Sequence, residues 1–98
     1  MSYLDIDAEL IRSCLPSGTD VPEDSDYLFI LYAVLLRAKG EDTRSSDVHD
    51  AWSAWMYRGE PDHESIRPYA ELAPSVQEED MPFLKAIHAA ARLRAERI

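Results

Sequence analysis

An apolar run of ten residues, 27–36, constrains the fold of this chain more than any other feature. A helix over this run would be apolar on every side, so it must be buried on most of them. A buried strand is the competing interpretation of such a run. Helix is favoured because the run and its flanks exceed the usual strand length and because Gly40 follows as a stop signal. We therefore predict a central core helix that begins after Asp24 or Ser25 and ends at Gly40.

Two further helices are predicted from capping residues and from apolar side chains at helical spacing. The first begins after Asp5 as its N-cap, has an apolar stripe, and ends before Pro16. Another is capped by Ser45 or Ser46 and ends at Gly59, with apolar side chains repeating along one face. Both helices would pack an apolar stripe against the central helix.

The last predicted helix has two candidate starts, after Ser75 or after Asp80, and extends to near the C-terminus. The stretch 60–74 before it contains prolines and is predicted to be a loop. No segment shows the apolar–polar alternation that is typical of a strand. The chain is thus predicted to be one all-α domain over residues 1–98, a compact bundle of about four helices with a Pro-containing loop before the last.

The charge of the chain argues against general nucleic-acid binding, which requires a basic face. Nineteen acidic residues against ten basic ones give a net charge of −9. Residues 1–84 hold 18 acids and 6 bases, whereas residues 85–98 hold one acid and four bases. Those four bases are Lys85, Arg92, Arg94 and Arg97. The excess acid is either a solvated surface, or a patch that binds a basic partner or mimics nucleic acid.

Cysteine usage and hydropathy predict a cytoplasmic protein without membrane association. Cys14 is the single cysteine, so no intrachain disulfide can form, as expected in a reducing compartment. The chain opens on a polar, acidic stretch that does not resemble a signal peptide. Its longest apolar run is far shorter than the roughly 20 residues that span a bilayer. We expect Cys14 to be a small core residue rather than a nucleophile.

No spacing of residues in the sequence points to an enzyme, a metal or a cofactor. His49 and His63 each precede an acidic residue, but neither begins an HExxH pair. The three glycines are too far apart to form a phosphate-binding loop. We therefore expect a non-catalytic protein with neither cofactor nor metal.

The aromatic residues supply the candidate binding site. Two tryptophans at helical spacing usually belong to a core, but Trp and Tyr are also favoured anchors of binding surfaces. Arginines lie near them in sequence and could pair with an anion. The residues of this candidate ligand or partner site are Trp52, Tyr57, His63, Arg67 and Tyr69.

One pattern in the second half of the chain resembles a known family. The pattern consists of His49-x-x-Trp52, His63-x-x-Ile66-x-Pro68-Tyr69-x-x-Leu72, Gln77, Asp80, and then Phe83, Leu84 and Ile87. It resembles the RyR domain, a small helical module of ryanodine receptors that also occurs in bacterial and phage proteins. The whole chain looks like small uncharacterised proteins of actinobacteria and their phages. The resemblance implies a non-catalytic interaction or ligand-sensing module, which in bacteria recognises nucleotide-like ligands.

Three hypotheses for function follow. The first is a small binding or adaptor module, bacterial or phage regulatory in type, that acts through a protein partner. The second is a sensor of a small anionic, nucleotide-like ligand bound by Arg67 and His63. The third is an acidic nucleic-acid mimic that blocks a DNA-binding protein. Because the helix over 27–36 is apolar all round, a homodimer could also bury surface that one small core cannot.

Overall fold

The computed structural model describes residues 1–96, and within them the chain forms helices and no strand. The helices are α1 (Tyr3–Ser13), α2 (Asp26–Lys39), α3 (Ser45–Gly59), α4 (Pro74–Gln77) and α5 (Met81–Glu96). Of these, α4 is a single turn and the other four are long. The loop between α3 and α4 contains prolines, as predicted. This architecture confirms the prediction of an all-α bundle of about four helices.

The core is built around α2. Its buried side chains are Leu28, Phe29, Tyr32, Ala33 and Leu36. Helices α1, α3 and α5 pack against α2. The rings of Phe29 and Tyr32 meet edge to face, with centroids 5.3 Å apart, and Phe83 of α5 joins them. The prediction of a central helix over 27–36 is therefore confirmed, although α2 also leaves some apolar side chains half exposed.

The start of α1 differs from the prediction. Asp5 is not the N-cap; Ser2 is, and the helix begins at Tyr3, three residues earlier than expected. The Ser2 hydroxyl accepts a hydrogen bond from the Asp5 backbone N–H at 3.3 Å, and the Asp5 carboxylate accepts one from the Ser2 N–H at 2.8 Å. This reciprocal arrangement is a capping box, in which the acid occupies the third helical position.

The starts of α3 and α5 also refine the prediction. Neither Ser45 nor Ser46 caps α3, because Ser45 is already helical and Arg44 precedes the helix. The Asp47 carboxylate accepts the Arg44 backbone N–H at 2.8 Å and so satisfies this helix end from within its first turn. The second candidate start, after Asp80, is where the long helix α5 begins.

Basic residues of α5 pair with acidic residues elsewhere in the bundle. Arg92 forms an ion pair with Glu41, and the Arg94 guanidinium lies 3.8 Å from the buried Asp7 carboxylate. Asp7 also binds Arg37 of α2. These ion pairs connect the basic residues of α5 to α1 and to the turn after α2. Arg97, counted with the basic segment, lies outside the described residues.

Two smaller expectations bear on the surroundings of the core. Cys14 is half-buried at the end of α1 and packs against the core, as expected of a small apolar residue. Across residues 1–96, no helix is both long and apolar enough to cross a membrane.

Candidate functional site

A cavity of about 440 Å³ lies where the segment before α2, α3, the following loop and the start of α5 meet. Its lining residues include five with aromatic or imidazole rings, Tyr32, His49, Trp52, His63 and Phe83, and three acids, the exposed Asp20 and Glu79 and the buried Asp80. Within residues 1–96, no lysine or arginine lines it. Its volume falls in the range of roughly 300–1,000 Å³ that small-molecule sites occupy.

His49 is held in one orientation beside this cavity. Because α3 begins at Ser45, Val48, His49 and Trp52 lie on the helix face that packs inward. The His49 side chain is almost fully buried, at 3% exposure. Its Nε2 atom lies 2.8 Å from the carbonyl oxygen of Arg67. Since a carbonyl can only accept, Nε2 carries a proton and donates it to this oxygen.

The other ring nitrogen of His49 faces Asp80. Asp80 is 8% exposed and ends the 3₁₀ turn that leads into α5. Its Oδ2 atom lies 3.7 Å from His49 Nδ1, too far for a hydrogen bond, and has no hydrogen-bond partner among the described residues. A neutral His49 with its proton on Nε2 would present a lone pair to this carboxylate. The pair is therefore favourable when it holds one further proton, on the imidazole or on the acid.

The surroundings of Asp80 favour proton retention. Burial raises the pKa of Asp80 to about 6; the nearby charge of His49 opposes this rise and that of Glu79 adds to it. Burial, together with the charge of Asp80, also raises the pKa of Tyr32 well above its ordinary range. The Tyr32 phenol therefore stays protonated in the cavity wall.

Trp52 is fixed between two imidazoles. Its ring stacks on His49, with centroids 5.5 Å apart and planes 20° apart. His63, in the loop after α3, meets Trp52 edge to face at 5.2 Å. The His63 ring is itself oriented, because its Nδ1 accepts the Ser65 backbone N–H at 3.0 Å. These contacts fix the orientation of the Trp52 and His63 rings where the two residues line the cavity.

The five residues predicted as a site from the sequence are partly brought together. Trp52 and His63 line the cavity. Tyr69 is not among the residues that line the cavity, but its ring centroid lies 6.3 Å from that of His49. Arg67 provides its carbonyl to His49, but its side chain lines a separate, more open hollow. Tyr57 is 62% exposed and, in the described part of the chain, lines neither of these two spaces.

Sequence reasoning missed the contributions of Asp80, Tyr32 and His49 to this cavity. In the sequence, Asp80 marks a candidate helix start and Tyr32 belongs to the predicted core helix, and both roles account for the local sequence. The His49-x-x-Trp52 spacing is the signal that could have pointed to the stacked pair. The signal for Asp80 is tertiary, because its partner lies on another helix.

The chemistry of the cluster was tested against that of a catalytic triad. Ser53 Oγ lies 3.3 Å from His49 Nε2, which gives a Ser–His–Asp order with Asp80. A triad requires an unprotonated Nε2 that can accept the serine proton. Here Nε2 already donates to the Arg67 carbonyl, so this arrangement does not activate Ser53.

Across residues 1–96, no group of three or more histidines, cysteines and carboxylates is arranged to hold a metal ion.

The chain was compared with known proteins, and residues 2–92 match a domain of unknown function, DUF7701. The chain belongs to this family. No curated protein and no solved structure matches it. Every residue that lines the cavity falls within the matched range, so the cavity is a feature of the DUF7701 domain of this chain. The resemblance to the RyR domain stays a prediction from the sequence.

Proposed function

We propose that this DUF7701 domain is a non-catalytic binding module whose cavity holds a small organic molecule. The observation that carries the proposal is the buried Asp80, which lines an aromatic cavity of about 440 Å³ and whose Oδ2 atom has no hydrogen-bond partner among residues 1–96. Buried polar groups are normally paired, and an exception in a cavity is a candidate functional group.

The walls supply both parts of a recognition site. Trp52 and His63 offer aromatic surface for stacking, and the groups around Asp80 offer hydrogen bonds that fix orientation. Because Trp52 is already fixed by His49, little side-chain ordering would be needed on binding. These features support non-covalent recognition of a flat molecule.

The sequence hypothesis of a ligand sensor agrees with this proposal, and so does the ligand-sensing role that the RyR resemblance implies. The hypothesis of an anionic ligand receives less support, because the side chain of Arg67 lies outside the cavity. We therefore keep the hypothesis of a ligand sensor and infer the charge of the ligand from the side chains that line the cavity.

A thermal-unfolding screen against small aromatic and heteroaromatic compounds of each charge tests the proposal. A ligand at 100 times its Kd adds about 2.7 kcal/mol to the free energy of unfolding. For a domain of this size, each kcal/mol raises Tm by roughly 4–8 °C. We expect hits whose stabilisation is lost in Trp52→Ala and kept in Tyr57→Ala, an exposed position on the same helix. Hits that stabilise both variants equally, or an absence of hits, would contradict the proposal.

A second candidate is an adaptor that binds a protein, and a second copy of the chain is its simplest form. It is favoured by apolar side chains that α2 leaves open, Tyr27 at 48% and Val34 at 46% exposure. Sedimentation velocity over a concentration series would test it. Self-association that is lost in Val34→Glu would support this candidate, whereas a monomer at every concentration would contradict it.

A further inference from the structure

The cavity wall has an excess of negative charge. Asp20, Glu79 and Asp80 border it, and within the described chain its imidazoles, His49 and His63, are its only groups that can become cationic. Burial raises the pKa of Asp80 to about 6, so its carboxylate is ionised at about pH 7.5. Asp80, Asp20 and Glu79 together make the lining of the cavity negative. A phosphate or carboxylate ligand would be repelled, and a cation would be attracted.

The aromatic wall favours the same charge. The indole ring is the side chain that attracts cations best through its π face, and Trp52 and the three acids line the same cavity. Carboxylates bind planar amidinium and guanidinium groups through two parallel N–H···O bonds. A flat cation could therefore use stacking, charge and hydrogen bonding in a single orientation.

The burial of Asp80 determines how strongly the cavity distinguishes ligands by their charge. Only 8% of the Asp80 surface is exposed, so water screens its charge less than it screens the charge of a surface acid. A neutral ligand of the same shape would keep the stacking contact but leave this charge without compensation. An anion would add repulsion to that loss.

We propose that the cavity selects planar organic cations, of the amidinium, guanidinium or protonated heteroaromatic amine class, over neutral or anionic molecules of the same shape. This inference rests on the proposed function, because it specifies the ligand of the same cavity. It differs from the anionic ligand that the sequence suggested, since it follows from which side chains line the cavity.

Three probes of nearly the same size and shape test the charge preference directly. Benzamidine is cationic, benzamide is neutral and benzoate is anionic at about pH 7.5. Titration of each into ¹⁵N-labelled protein, followed by the indole N–H signal of Trp52, gives three dissociation constants. We expect benzamidine to bind about tenfold more tightly than benzamide, and benzoate to bind most weakly.

Variants assign the preference to the carboxylates. Asp80→Asn is expected to weaken benzamidine binding about tenfold while benzamide binding stays nearly unchanged. Glu79→Gln, at an exposed position, is expected to act in the same direction by a smaller factor and guards against misfolding of the buried variant. Glu78→Gln is the matched control, because Glu78 is exposed in the same turn and lies outside the cavity lining.

The outcomes separate this inference from the proposed function. Equal binding of all three probes, or tightest binding of benzoate, would overturn the cation preference and leave the cavity as a ligand site. A benzamidine affinity that neither Asp80→Asn nor Glu79→Gln reduces would also overturn it. Absence of binding by all three probes would contradict both the inference and the proposed function.

Discussion

The Nδ1 atom of His49 lies 3.7 Å from the Oδ2 atom of Asp80, while the Nε2 atom of the same ring donates to the Arg67 carbonyl. This relationship links α3, the proline-containing loop and the start of α5 at one imidazole. It also places a buried acid opposite a nitrogen whose lone pair faces it. The ionisation of Asp80, whose pKa burial raises, therefore bears on both the stability of the domain and the chemistry of its cavity.

Asp80→Asn is predicted to stabilise the domain at pH 8. Because the pKa of Asp80 is raised to about 6, the contribution of this acid to stability is present below about pH 4 and is lost as pH rises through 6. That loss is at most about 3 kcal/mol. Asparagine avoids it, but forgoes a favourable charge of about 0.3–1 kcal/mol at the start of α5.

Urea unfolding at two pH values measures the effect. We expect a net gain of about 1–2 kcal/mol at pH 8 and almost none at about pH 4. Glu78→Gln, in the same turn but exposed, should change neither value appreciably. Equal or lower stability of Asp80→Asn at pH 8 would show that the buried carboxylate is compensated in a way that the described contacts do not provide.

The tautomer of His49 is a second prediction. The proton is expected on Nε2, because the Arg67 carbonyl accepts it at 2.8 Å. Imidazole ¹⁵N shifts should therefore report an Nε2–H state when the ring is neutral, in the wild type and in Asp80→Asn. His63 provides the comparison, since its Nδ1 accepts a backbone N–H and its proton must also lie on Nε2 when it is neutral. An Nδ1–H tautomer at His49 would contradict the hydrogen bonding described above.

The capping box of α1 gives a third prediction. Ser2→Ala is expected to lower the free energy of unfolding by about 1 kcal/mol. Hydrogen bonds from the Ser2 backbone and side chain lower the pKa of Asp5, so the stabilisation by this carboxylate is present above its ordinary pKa and is lost as pH falls through the lowered value. The effect of Ser2→Ala should consequently shrink in acid.

A double-mutant cycle separates this box from independent effects at the two positions. Ser2→Ala and Asp5→Ala are expected to be non-additive, because the Ser2 hydroxyl also donates a hydrogen bond to the Asp5 carboxylate at 2.9 Å and either change removes it. Ser13→Ala, at the opposite end of α1, is the control and should add independently to either change. Full additivity of the first pair would contradict the reciprocal cap.

Arg37→Met is predicted to destabilise the domain more than removal of a surface cation. Arg37 binds the buried Asp7 carboxylate, and its loss would leave Asp7 with Arg94 at 3.8 Å. An incompletely compensated buried charge costs several kcal/mol, so we expect a loss of about 2 kcal/mol with Arg94 still present. Arg92→Met removes an exposed pair with Glu41 and should cost at most about 1 kcal/mol. Equal effects in thermal unfolding would contradict this ranking.

Much of the fold could be predicted from the sequence because its main signals are local. The apolar run over 27–36 and the stop at Gly40 define α2 without tertiary information. The beginnings of α1 and α3 were less predictable. In both, an acid in the first helical turn binds the backbone N–H of the preceding cap residue, and a simple search for a capping residue misassigns that acid or its neighbour.

The candidate site was less accessible to sequence reasoning. Trp52 and His63 were found through residue type, because aromatic and imidazole rings are favoured in binding sites. Arg67 is predicted from the charge of its side chain, but its contribution to the cluster is the backbone carbonyl that accepts the hydrogen bond from His49. Asp80 and His49 meet through the packing of α5 against α3, and no spacing along the chain encodes that contact.

The indole N–H signal of Trp52 during a benzamidine titration tests the central claim most directly. The account predicts a saturable shift of this signal and of the imidazole signals of His49 and His63. The indole of Trp55, which packs against the core away from the cavity lining, should stay in place and serves as an internal control. A static Trp52 signal, or equal shifts of Trp52 and Trp55, would contradict the assignment of this cavity as a ligand site.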